Sequence, residues 1–287
     1  MTMPEQEPAQ DPTQAPIFIL GSGRCGSTFF QTMLCSVDDV WIWGEHDGML
    51  AQLLGWGVRT QKSQPLNQFS FPFVGQDPWV VMRDNATHAA WLGGFNADDV
   101  VVAQRLALEH LFCNRLPVGK RRWGFKEIRY GADSVVPGRL LGLYPAARII
   151  HVVRDPIRTV ESSLRAWHRK LVLDFETPQS DPTQLKEVFD NLLNRWVSVT
   201  GHLLELEQAR PAQVRTIRLE DGDASTPVLA EFLGISATSL SEAREKAISN
   251  PARIAKLDTT GFDQLIDGFA QATESRYLGL AQRLGYR

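Results

Sequence analysis

The chain has 287 residues, 43% of them hydrophobic and 22% charged, with 30 Lys and Arg against 33 Asp and Glu for a formal net charge of −3. That length suits one large α/β domain with an ordinary globular core. Its charge balance gives no general attraction to nucleic acid or an anionic membrane, so any bound anion must be held by a local cluster of cations. No segment reaches the roughly 18 uninterrupted apolar residues of a membrane span. Cys25, Cys35 and Cys113 have no metal-type spacing, so zinc and disulfide scaffolding are not expected and the chain reads as cytoplasmic.

Met1 to Ala15, rich in Pro, Gln and acids, predicts a disordered tail, leaving residues 16–287 as a single domain. Pro16 to Leu20 is a short apolar run stopped by Gly21, the pattern of a buried parallel strand. A glycine-rich turn, Gly21 to Ser27, follows, and then Thr28 to Leu34 with apolar residues at helical spacing. Trp41 to Trp91 has no clean period and reads as loops and short helices beside a site. Its Trp41, Trp43, Trp56 and Trp79 suit either an acceptor-pocket wall or core packing.

Val100 to Cys113 reads as a helix, Trp123 to Lys126 as a short strand, and Arg148 to Val153 as a β-branched strand. Asp155-Pro156 opens the next helix, with Pro at its favoured first position. Helix at Thr183 to Glu207, strand at Val214 to Leu219, helix at Pro227 to Leu233 stopped by Gly234, and a terminal helix over Phe262 to Leu284 complete the pattern. Strands alternating with helices predict an α/β fold, a P-loop-like parallel sheet with helices on both faces.

Gly21-Ser22-Gly23-Arg24-Cys25-Gly26-Ser27-Thr28 fits both G-x-G-x-x-G and the spacing of the phosphate-binding P-loop, with Ser27 where the P-loop has Lys. Both templates bring backbone N–H groups and a helix N-terminus to phosphate oxygens. The missing Lys argues against a nucleoside triphosphate, and Arg24 supplies a cation earlier in the loop. A second anion site is expected where the strand Arg148 to Val153 ends. Arg154 falls at the sheet's carboxyl edge and Ser162 about two turns into the helix that follows; the alternative is a surface pair of Arg154 with Asp155. Two phosphate sites on two strand ends fit a nucleotide phosphorylated at both 5′ and 3′ positions.

With these motifs in order, the chain resembles the superfamily of sulfotransferases that use 3′-phosphoadenosine 5′-phosphosulfate (PAPS). Gly23 to Thr28 resembles its 5′-phosphosulfate loop, with Cys25 for the usual Ser. Arg154-Asp155-Pro156 with Ser162 resembles its 3′-phosphate motif, and Arg218-Leu219-Glu220-Asp221 followed by Phe232-Leu233-Gly234 resembles a later stretch, with Leu219 for Tyr. The likeness is greatest to the branch holding tyrosylprotein, carbohydrate and bacterial small-molecule sulfotransferases. It implies the sulfotransferase fold, PAPS as donor with 3′,5′-ADP as product, no metal, and a small-molecule or carbohydrate acceptor carrying a hydroxyl or amine.

By the same resemblance, Gly44-Glu45-His46 occupies the place of a Gly-Glu-Glu element that supplies the general base, and Lys126 that of a Lys assisting transfer. The donor-binding residues implied are Gly23, Arg24, Cys25, Gly26, Ser27, Thr28, Arg154 and Ser162. Those implied for the chemistry are Glu45, His46, Lys126 and Arg24. The register of the resemblance favours Glu45 as the base, with His46 close behind because an imidazole's ordinary pKa suits a base near neutral pH; Asp47 and His88 are the next groups in line. Lys126 has a rival reading as an ion pair with its neighbour Glu127. Two rivals for the whole are a nicotinamide-dependent oxidoreductase, for which Asp38 and Asp39 would have to bind ribose, and a nucleotide-binding module without catalysis.

Overall fold

A computed structural model of the chain describes residues 15–69, 76–87, 93–174, 182–249 and 260–286. His88, Trp91 and nearly all of the expected tail lie outside these residues. In chain order the elements are β1 (Ile17–Gly21), α1 (Ser27–Cys35), β2 (Val40–Trp43), α2 (Leu50–Lys62), α3 (Gln64–Phe69), α4 (Pro78–Asp84), α5 (Ala97–Phe112), β3 (Arg122–Glu127), α6 (Val136–Leu143), β4 (Arg148–Val153), α7 (Pro156–Trp167), α8 (Arg169–Asp174), α9 (Pro182–Ala209), β5 (Val214–Arg218), α10 (Ser225–Leu233), α11 (Ala237–Ser249), α12 (Thr260–Thr273) and α13 (Leu278–Arg283). Short 3₁₀ turns cover Leu219–Ala224 and Glu274–Arg276.

All strand pairings are parallel and the sheet order is β2-β3-β1-β4-β5, as an α/β chain of alternating strands and helices requires. Successive side chains of a strand point to opposite faces, and β1 divides accordingly. Phe18 and Leu20 join Trp123, Phe125 and Ile149 on one face, under α2, α5, α6 and part of α9. Ile17 and Ile19 join Ile42, Ile150 and Val152 on the other, under α1, α10 and α11. Both faces of the central strands are therefore apolar, which explains their unbroken hydrophobic runs. A third cluster packs α7 and α9 against α12 and α13.

The Trp41 to Trp91 stretch is more regular than its sequence suggests. It holds edge strand β2 and helices α2 to α4. Four residues, Val40-Trp41-Ile42-Trp43, alternate buried and half-buried, a run too short to stand out among aromatic neighbours. The expected terminal helix is divided by the turn at Glu274–Arg276 into α12 and α13.

The chain leaves β1 toward β2 on one side, and later fills β4 and β5 on the other. Connections of opposite sense open a crevice above the carboxyl ends of the central strands, where open α/β sheets bind ligands. The loops after β1, β2, β3 and β4 all converge there.

Candidate active site

The loop after β1 is shaped by two left-handed residues, Arg24 at φ 62° and Gly26 at φ 95°. Glycine enters that region freely, whereas a non-glycine residue there carries strain of the kind found at functional sites. Added carbon at Gly26 would also meet Leu219 Cδ1 at 2.6 Å. Gly26 N-caps α1, which has no side-chain cap and no acid in its first turn, so its first-turn N–H groups and positive end face the crevice. Cys25 is fully buried, with its sulfur packed beneath Gly21. Burial pushes its thiol pKa up, so Cys25 has only its backbone to offer a ligand.

Arg24, Gly26, Ser27, Thr28, Glu45, Lys126, Arg129, Arg154, Ser162 and Arg195 line one crevice of about 1080 Å³. Arg24 Nε donates to Ser162 Oγ at 3.3 Å, which joins the glycine loop to the residue expected at the second phosphate. Arg154 lines the same crevice. Asp155 is not its partner: that carboxylate caps α7 by accepting from the Arg158 N–H at 2.8 Å.

Lys126 and Glu127 are consecutive on β3 and therefore take opposite sides of the sheet. Lys126 Nζ lies 2.5 Å from Glu45 Oε1, not on Glu127, and Arg129 Nη1 reaches Glu45 Oε2 at 2.9 Å. Glu127, fully buried, organises the loop that carries Glu45. Its carboxylate accepts from His46 N at 3.2 Å, Gly48 N at 2.9 Å, Ile128 N at 2.8 Å and Arg129 Nη1 at 2.6 Å. Burial alone would raise its pKa, but these hydrogen bonds outweigh burial and hold it below the usual carboxylate range. Asp47, at φ 56°, turns this loop outward and pairs with Arg129 Nε at 3.0 Å.

His46 turns away from its neighbour. Its Nε2 is 2.6 Å from the Tyr130 hydroxyl, its ring packs edge-on against Phe125, and it does not line the crevice. Burial lowers its pKa against the opposing pull of Glu127, which keeps the imidazole neutral. Of the two candidate bases, the fold brings Glu45 alone to the loop and to Lys126.

Residues 16–234 match the model of the Sulfotransferase family. The chain belongs to that family. A comparison with curated proteins found no match. Among solved structures, the sulfotransferase domain of the Synechococcus PCC 7002 olefin synthase is 18% identical, covering 92% of this chain and 98% of that one, with a TM-score of 0.44. A sulfotransferase of Mycobacterium avium is 15% identical over 93% of this chain and 76% of that one, with a TM-score of 0.48. A mouse sulfotransferase complexed with PAP is 15% identical over 79% and 73%, with a TM-score of 0.33. Likenesses of this size carry no argument about chemistry.

In this sulfotransferase Trp41, Trp43, Trp56 and Trp79 do not line the crevice. Trp43 donates to Phe112 O at 2.8 Å, Trp56 pairs with Phe95, and Trp79 is exposed. Among the described residues the tryptophan that lines the crevice is Trp167, whose indole lies against Gly23 closely enough to exclude a side chain there. Asp38 and Asp39 precede β2 and lie by Arg121 and Arg122, at the amino end of the sheet, so neither reaches a ribose in the crevice. Arg129 and Arg195 escaped the sequence reading, since their partners lie far along the chain, and Glu127 entered it only as a rival partner for Lys126. Among the described residues no helix is long and apolar enough to cross a membrane.

Proposed function

We propose that this sulfotransferase takes the sulfuryl group of PAPS and places it on a hydroxyl, or an amine, of a small-molecule or carbohydrate acceptor in the cytoplasm. The observation that carries this reading is the meeting of Glu45, Lys126 and Arg129 in the crevice that also holds the Arg24 loop, Arg154 and Ser162. The residues present fit the donor: left-handed Arg24 and Gly26 curl the loop, the first turn of α1 is free of side-chain caps, and cations outnumber acids along the crevice. The backbone from Gly23 to Thr28 would hold the 5′-phosphosulfate, and Arg154 with Ser162 the 3′-phosphate, with Arg24 between them.

The donor supplies an activated sulfur, which bonds to the acceptor atom as its bond to the phosphate oxygen breaks and 3′,5′-ADP leaves. Glu45 takes the acceptor's proton as a general base. Arg129 and Lys126 orient the Glu45 carboxylate. Lys126 and Arg24 face the oxygens on which charge gathers and stabilise it through fixed, preorganised cations. Walls packed by Ile128, Leu219 and Trp167 limit water around these charges.

Wild-type protein given PAPS and a panel of hydroxyl and amine acceptors should release 3′,5′-ADP. Glu45→Gln should lower kcat roughly 10²–10⁴-fold and leave 3′,5′-ADP affinity nearly intact. A folded Glu45→Gln enzyme turning over at the wild-type rate contradicts the assignment of the base.

A further inference from the structure

A single peptide unit, the one joining Arg154 to Asp155, is gripped at both ends by side chains from distant parts of the chain. Its carbonyl accepts the Trp196 indole N–H at 3.0 Å, from α9. Its N–H donates to Glu220 Oε1 at 3.0 Å, from the 3₁₀ turn after β5. Glu220 is itself held: its other oxygen, Oε2, accepts from the Tyr286 hydroxyl at 2.8 Å. Arg218 fastens the segment that carries Tyr286, donating through Nη1 to Leu284 O at 2.9 Å and lying 5.4 Å over the Tyr286 ring. The later motif Arg218-Leu219-Glu220-Asp221 thus ends on the backbone of the 3′-phosphate motif.

The orientation of a peptide plane fixes ψ of the residue before it and φ of the residue after it. Rotating this plane would break both bonds at once, and the fully buried Trp196 indole N–H would be left without its partner. ψ of Arg154 sets the course of the chain from the end of β4 into α7. It therefore sets the relation of Arg154, on the strand end, to Ser162, on the helix. The Asp155 carboxylate accepts from the Arg158 N–H, while the Asp155 amide donates to Glu220.

We propose that Glu220, clamped by Tyr286 and opposed by Trp196, is a positioning residue that aims Arg154 at the 3′-phosphate of the donor; this rests on the donor reading above. The ligand pair that isolates the effect is 3′,5′-ADP and 5′-AMP, which differ only by the 3′-phosphate. Their affinities, measured by calorimetry on the full chain, give a ratio that reports the 3′-phosphate contacts alone. Glu220→Ala should shrink that ratio roughly tenfold, the worth of one charge-assisted contact, with 5′-AMP binding unchanged. Tyr286→Phe, a milder change that removes only the hydroxyl, should shrink it less. Glu220→Gln keeps an oxygen for the Asp155 N–H and should restore the wild-type ratio. An unchanged ratio in folded Glu220→Ala and Tyr286→Phe proteins overturns the proposal. So does an equal loss of both nucleotides, which would mark a general collapse of the crevice. A wild-type protein that fails to distinguish the two nucleotides contradicts the donor reading itself.

Discussion

Glu45 and His46 are neighbours in the chain and part company in the fold. The sequence names the pair and favours Glu45 only by its register in the resemblance, since a carboxylate and an imidazole can both act as bases. What separates them is the Glu127 carboxylate, which collects the His46 and Gly48 N–H groups and sends Glu45 toward Lys126 and His46 toward Tyr130. A partner 81 residues away leaves no local trace in the sequence. His46→Asn should therefore cost stability, about 1–3 kcal/mol in chemical denaturation for the lost packing on Phe125 and the lost Tyr130 contact, while kcat changes far less than in Glu45→Gln. A larger kcat loss in His46→Asn would return the base to the imidazole. Arg154→Ala should weaken 3′,5′-ADP binding by about 2–3 kcal/mol by calorimetry, with folding spared; unchanged affinity would remove Arg154 from the site.

Another residue-scale effect concerns pH. His151 is fully buried on β4, beside the Thr216 hydroxyl at 2.9 Å, which in turn donates to Glu207. Burial pushes its pKa from 6.5 down to about 3. The native state thus refuses a proton that the unfolded chain accepts below pH 6.5, so stability is full above that pH and falls as the pH drops toward 3. Between pH 6.5 and 5 this one group should cost up to about 2 kcal/mol. Denaturation midpoints of the wild type should slope down over that range, and those of His151→Gln should slope less. Equal slopes would mean that His151 titrates alike in both states.

At the scale of elements, the legible parts were those whose pattern is set by burial alone. β1 and β4 are buried on both faces and read as unbroken apolar runs, and Pro156 and Gly234 mark a helix start and a helix stop. β2 was not legible, because an edge strand of four residues shows too little alternation among tryptophans. The division of α12 from α13 was hidden because a single apolar face runs through both. In the glycine loop the sequence gives the spacing, while the structure adds that Gly26 is both left-handed and pressed on Leu219. Gly26→Ala should therefore cost about 1–3 kcal/mol of stability in thermal or chemical denaturation and weaken 3′,5′-ADP binding as well. A Gly26→Ala protein matching the wild type in both would show that the loop adopts another form.

At the scale of the whole molecule, the placing of charge decides the chemistry. A chain with a formal net charge of −3 gathers Arg24, Lys126, Arg129, Arg154 and Arg195 around one crevice, against Glu45 as the acid lining it. The sheet order explains how: loops from four strand ends reach one place because the connections diverge on either side of β1. Motif order along the chain made this fold readable, but an acceptor leaves no comparable mark, since acceptor contacts come from loops without a fixed pattern. The central claim is that this crevice holds a nucleotide by two separate phosphate sites, and thermal-shift titration with 3′,5′-ADP, 5′-AMP and ATP tests it most directly. Preferential binding to the native state raises the melting temperature with the logarithm of affinity at a given ligand concentration. 3′,5′-ADP should shift the midpoint well beyond 5′-AMP and ATP at equal concentration; equal shifts for ATP and 3′,5′-ADP would contradict the claim.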